Sequence, residues 1–150
     1  MPSPYFGTTD FIDAGGENYM SWDQIRELSS SGVVIGTLGA SYRHLVSLNE
    51  SEVAADIAQA NQRFMDKIGI IPELFAYPFG EYSADLQKII TRYRYSAAFG
   101  QHSGVIYPGA DYFAFPRYPL VESYSNMARF QTVVDTPASG DRLGADRPSG

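Results

Sequence analysis

The stretch from Val33 to Phe75, VVIGTLGASYRHLVSLNESEVAADIAQANQRFMDKIGIIPELF, decides the fold. Val33-Val34-Ile35 is β-branched and reads as a buried strand. Asn49-Glu-Ser-Glu52 is a capping box: the Asn side chain accepts from the amide three residues on, and the Glu side chain reaches back. Val53, Ile57, Ala60, Phe64 and Ile68 then recur at helical spacing, and Gly69 supplies a left-handed stop. Ile70-Ile71 and Leu74-Phe75 flank the next strand. Strand, long helix, strand is a βαβ unit, so its two strands run parallel.

The same alternation extends in both directions. Upstream, Tyr5-Phe6 is a short aromatic strand. Ser21-Trp-Asp-Gln24 is a second capping box, opening a helix that runs through Ile25 and Leu28 to about Ser31 and stops at Gly32. Trp22, at its first turn, is expected to staple this helix to the sheet. Downstream, Ser83 caps a helix with Leu86, Ile89, Ile90 and Tyr93 on one face, and Tyr82 reads as packing at its entry. Tyr95 to Phe99 is a strand, a loop leads to Phe113-Ala-Phe115, and a last helix is expected from about Asn126 to Val134. The acidic positions from Glu50 to Asp66 read as a solvated helix face. An open doubly wound sheet and a (β/α) barrel both fit this order. In either, a site lies at the C-terminal ends of the strands: Gly36 to His44, Tyr77 to Tyr82, Gly100 to Ser103, and Pro116-Arg117.

Composition narrows the functions. At 150 residues the chain is one domain, with 44% hydrophobic and 14% aromatic residues to build a core. The domain is expected over residues 1–135. The last fifteen residues, TPASGDRLGADRPSG, hold one large apolar side chain, Leu143, and are expected to form a flexible tail. The net charge of −6 offers no global field for nucleic acid or an anionic membrane. The absence of cysteine excludes a disulfide scaffold, a thiolate metal site and a cysteine nucleophile. No signal peptide or membrane-spanning stretch is present, so a cytoplasmic location is the default reading. Two histidines, His44 and His102, limit any histidine-based metal site.

Four segments, in order, resemble the polysaccharide deacetylases of carbohydrate esterase family 4, the NodB-homology domain. They are Phe11-Ile-Asp-Ala-Gly-Gly16 with Tyr19 to Leu28; Val34-Ile-Gly-Thr37 through His44-Leu45; Gly69-Ile-Ile-Pro72 with Leu74-Phe-Ala-Tyr-Pro-Phe-Gly-Glu-Tyr82; and Phe115-Pro116-Arg117. The resemblance spans roughly residues 4 to 134. It implies a partial, distorted (β/α) barrel with a parallel sheet, and hydrolysis of N- or O-acetyl groups on carbohydrate. It also implies a divalent metal, usually zinc, held by one Asp and two His, with a neighbouring Asp as general base.

The residues answer that expectation unevenly. The family's Asp-Asp pair lies upstream of the strand at Tyr5-Phe6, ahead of this chain's first residue; Asp10 and Asp13 are neither adjacent nor on that strand. The two histidine-ligand positions hold Leu38, which has no donor atom, and Tyr42, whose phenol with a pKa of about 10 is a poor ligand at neutral pH. His44, two residues further on, is the one nearby imidazole that a shifted loop would recruit. Some members carry an Arg where Ala76 stands, and the family's late Leu-x-His has no counterpart, leaving His102 as the candidate acid. The Tyr77-Pro78-Phe79-Gly80 motif is kept, and with Arg117 it gives the expected substrate groove. The sequence therefore reads as an α/β protein of the polysaccharide deacetylase family, N-terminally truncated, with no metal cofactor and no metal-dependent hydrolysis of its own. Its partner would be carbohydrate, as an acetylated glycan. The alternatives are a metal-free carbohydrate-binding module and a non-functional remnant that associates through an exposed sheet edge.

Overall fold

The computed structural model describes residues 5–118 and 126–135. Among them, four three-residue strands form one sheet in chain order: β1 (Tyr5–Gly7), β2 (Ile35–Thr37), β3 (Leu74–Ala76) and β4 (Ala97–Phe99). All three pairings are parallel, with Phe6 opposite Gly36, Thr37 opposite Phe75, and Ala76 opposite Phe99. Phe115 adds one parallel bridge to Phe99, so the expected fifth extended segment is a single bridged residue. The sheet is open. It matches the α/β, partial (β/α)-barrel expectation. The expected tail, 136–150, lies outside the described residues.

Helices α1 (Thr9–Ala14), α2 (Trp22–Ser30), α3 (Glu50–Ile68) and α4 (Ala84–Thr91) connect the strands, and α5 (Met127–Val134) follows. The local signals work as chemistry requires. At α2, the Ser21 hydroxyl accepts from the Gln24 amide while the Gln24 side chain accepts from the Ser21 amide. At α3, Asn49 and Glu52 make the same exchange, and Gly69 ends the helix at φ 74°, a left-handed turn that a Cβ disfavours. Ser83 caps α4 on the Leu86 amide, and Asn126 caps α5 on the Arg129 amide.

Two apolar clusters hold α1–α4 against one face of the sheet. Ile12, Ile25, Ile35 and Phe64 join α1, α2 and α3 to β2. Val53, Ile57, Phe75, Leu86, Ile90 and Ala98 join α3 and α4 to β3 and β4. On the opposite face Phe6, Leu74 and Phe99 are half-buried, with Phe6 and Phe99 edge to face at 5.4 Å. No helix among the described residues is long and apolar enough to cross a membrane.

Several expectations shift. The strand expected at Val33–Ile35 begins at Ile35, and Val34 is half exposed. The strand expected from Tyr95 is confined to Ala97–Phe99. Trp22 packs against the cluster that contains Ile35 of β2; its ring meets Phe64 of α3 edge-on at 5.4 Å, and its indole N–H donates to Asp13 of α1. The acidic face of α3 is not wholly solvated, because Asp56 is 4% exposed.

Candidate functional site

The loops leaving the C-terminal ends of the strands converge on one surface. The β2 exit is fixed from behind by Asp56. Its carboxylate accepts from the Ala40 amide (2.9 Å), the Ser41 amide (3.1 Å) and the Ser41 hydroxyl. The Thr37 hydroxyl accepts from the Gly39 amide at 3.0 Å. This bracing sets the chain beyond it, where Tyr42 adopts φ 50°.

The β3 exit is a tight turn over Pro78–Gly80. Phe79 sits at φ 58° and ψ 7°, and Gly80 at φ 69°. A Cβ on Gly80 would stand 2.6 Å from Gln101 Cβ and 2.9 Å from its backbone nitrogen, so only glycine fits. The motif divides its labour differently from the sequence expectation. Tyr77 and Pro78 are fully buried, so they are not a groove wall. The Tyr77 hydroxyl donates to the Phe113 carbonyl at 2.8 Å, and burial, with Asp111 and Tyr82 adding to it, pushes its pKa up. Phe79, 41% exposed, is the side chain that the turn presents.

Tyr42 and Phe79 are the two non-glycine residues with positive φ among the described residues. Their rings lie 4.5 Å apart, tilted by 37°. Bulky side chains rarely take this conformation, which costs about 1–2 kcal/mol at each position. The aromatic row continues on both sides. His44 stacks on Phe79 at 4.1 Å and 8°, with its Nδ1 2.8 Å from Glu81 Oε2. Phe11 lies 5.7 Å from Tyr42, and Tyr19 lies 5.1 Å from Phe11. Beside the row, Phe6, Thr8, Phe11, Tyr19, Leu38 and Tyr42 line a cavity of about 280 Å³.

The other candidates fall around this row. His102, exposed in the β4 exit loop, has its ring 5.8 Å from Tyr82, and no hydrogen bond or ion pair joins that ring to any described residue. Tyr82 is 38% exposed and lies 5.3 Å from Tyr77, so it reaches the surface as well as packing at the entry to α4. Arg117 donates through Nε to the Gly100 carbonyl at 2.7 Å, and its guanidinium lies 5.4 Å from the Phe6 ring centre. Burial pulls its pKa below the ordinary guanidinium value, against an opposing effect from Tyr42.

The donor set does not fit the metal implied by the resemblance. Leu38 and Tyr42, which the resemblance puts at the two imidazole positions, lie on the β2 exit, and His44 is engaged with Phe79 and Glu81. Among the described residues no three of His, Asp and Glu come together as a ligand set. Asp10 bonds Gln59 and Asp13 bonds Arg63, both facing α3.

Sequence reasoning missed Asp56, Phe11 and Tyr19. Asp56 was legible in principle: it sits three residues after Val53 and four before Ala60, on the buried stripe of α3. Phe11 and Tyr19 gave no such signal, since only the path of the β1–α2 connection brings them to Tyr42.

The fold is shared with solved deacetylases. The chain is similar to the Streptococcus pyogenes deacetylase PplD in complex with acetate, at TM-score 0.76 and 12% identity over 89% of this chain and 59% of that one. A polysaccharide deacetylase from Bacillus cereus gives TM-score 0.73 and 16% identity over 90% of this chain and 43% of the other. IcaB from Ammonifex degensii gives 0.70 and 21%, over 87% and 60%. The chain thus spans 43% to 60% of the length of these three proteins. Their likeness defines the fold class, an α/β domain with the fold of these deacetylases. The sequence model of the family described as polysaccharide deacetylase matches residues 1–98. This chain belongs to the polysaccharide deacetylase family.

Proposed function

We propose that this chain is a carbohydrate-binding member of its family that does not carry out metal-dependent deacetylation. The observation that carries the reading is the pair Tyr42 and Phe79. Two bulky side chains are held in left-handed backbone at the strand ends, in ring contact at 4.5 Å and continued by His44. Backbone strain of this kind persists only where the surrounding structure enforces it, and it clusters at binding sites. Tyr19, His44 and Phe79 are exposed along this aromatic row, and their apolar surface offers a sugar ring something to pack against. The adjoining cavity is floored by apolar and aromatic side chains, with Thr8 as a polar group able to orient a ligand. Metal-dependent hydrolysis has no ligand set to draw on among the described residues: Leu38 supplies no donor at a position where the resemblance implies an imidazole, and the Glu81 carboxylate is paired with His44.

Calorimetry with zinc and with an N-acetylglucosamine oligomer tests both halves, with circular dichroism on the same samples to show that the chain is folded. The expected result is no stoichiometric zinc binding, acetate release no faster than from a heat-treated control, and sugar binding that is weakened in a folded Phe79→Ala variant. Chelator-sensitive acetate release would return the chain to the hydrolases.

A further inference from the structure

Arg117 combines an enclosed guanidinium nitrogen with the lack of a paired carboxylate among the described residues. Its Nη2 is buried and has no hydrogen-bond partner. The Nε–H donates to a carbonyl, which satisfies a donor but does not neutralise the charge. No carboxylate pairs with it among the described residues, where five other ion pairs are formed. A desolvated guanidinium left in this state is costly, and an arriving anion removes the cost.

We infer that Arg117 is an anion-binding position at the mouth of the sheet, and that the glycan taken by this chain carries a carboxylate, as a uronate does. The inference rests on the carbohydrate-binding reading and adds the charge of the ligand to it. The position is built in advance. The Arg117 amide donates to the His102 carbonyl at 3.1 Å and its Nε to the Gly100 carbonyl at 2.7 Å, both on the β4 exit loop. Phe6 underlies the guanidinium and also lines the cavity, so cation and cavity share a wall. With Nε on the Gly100 carbonyl and Nη2 enclosed, Nη1 is the nitrogen left to meet an anion, through one charge-assisted hydrogen bond to a carboxylate oxygen. The chain's net charge of −6 makes the attraction local: an acidic glycan gains only where this side chain meets it.

The test compares two probes on the whole chain by calorimetry at low salt. One is the neutral N-acetylglucosamine oligomer. The other is a hyaluronan oligosaccharide, in which N-acetylglucosamine alternates with glucuronate. The acidic probe is expected to bind about tenfold tighter, as one charge-assisted hydrogen bond supplies. That preference should vanish in Arg117→Gln, fall in Arg117→Lys, and persist in Phe79→Ala, which weakens both probes. Binding of the neutral probe with no acidic preference in the wild-type chain overturns the inference and leaves the carbohydrate reading standing. A preference that survives in Arg117→Gln also overturns it. Binding of neither probe removes the carbohydrate reading, and the anion position with it.

Discussion

Single residues divide the strand-end surface into parts that hold and parts that present. Asp56 holds: one carboxylate takes two amides and a hydroxyl from the β2 exit loop, so removing it leaves three donors inside the fold without an acceptor. Asp56→Ala is expected to lower unfolding free energy by about 2 kcal/mol in urea titrations, and to weaken sugar binding as well, because Tyr42 follows that loop. An unchanged urea midpoint would remove the bracing role. Tyr77 also holds. Tyr77→Phe deletes only the hydroxyl that donates to Phe113, so it should cost about 1 kcal/mol and leave sugar affinity unchanged. A loss of affinity at unchanged stability would put Tyr77 back in the groove, where the sequence motif had placed it. The motif was legible as a turn, because Pro and Gly fix backbone angles directly. Which of its two rings faces solvent was not, since that follows from the left-handed φ of Phe79.

At the scale of elements, stability is written mostly into helix ends and one polar junction. The α2 and α3 starts were legible because a capping box is local chemistry, complete within four residues. Asn49→Ala removes the acceptor for the Glu52 amide and should cost about 1 kcal/mol, read from the same urea titration. The junction of α1, α2 and α3 was not legible, because its partners lie far apart in sequence: Asp13 accepts from Trp22 Nε1 and from Arg63 Nε. The hydrogen bond from Arg63, aided by Trp22 and by the charges of Arg63 and Lys67, holds the Asp13 carboxyl below its usual pKa despite some burial. A depressed pKa means that the folded state binds the proton less readily than the unfolded chain. The junction therefore contributes fully above the ordinary aspartate value of about 3.9, and its contribution is lost as pH falls from there through the lower folded value. Thermal melts of wild type and Asp13→Asn should differ at neutral pH and converge in acid. A gap that stays constant down to acid pH would show that Asp13 does not titrate with folding.

At the scale of the molecule, the sheet is unevenly covered. Parallel pairing was legible because β-branched and aromatic runs alternate with amphipathic helices, but strand order was not, since a doubly wound sheet and a barrel both fit that alternation. What covers the second face was not legible, because no local pattern carries it. Parallel sheets are ordinarily buried on both faces. Here α1–α4 cluster on one face, and the other keeps Phe6, Leu74 and Phe99 half-buried. β1 pairs with β2 alone, which leaves its outer edge without a partner strand among the described residues. An unpaired edge beside apolar surface is a template for another chain. Self-association is therefore expected, with the sedimentation coefficient rising with protein concentration. If the β1 edge mediates it, exchange of the β1 backbone amides with deuterium should slow as concentration rises. The exposed apolar residues of α5, Met127, Phe130 and Val134, offer a competing route, and association through them would leave β1 exchange unchanged. A single sedimenting species of monomer mass across the dilution series would show that neither surface recruits a second copy, and that the half-buried face is stable in water as it stands.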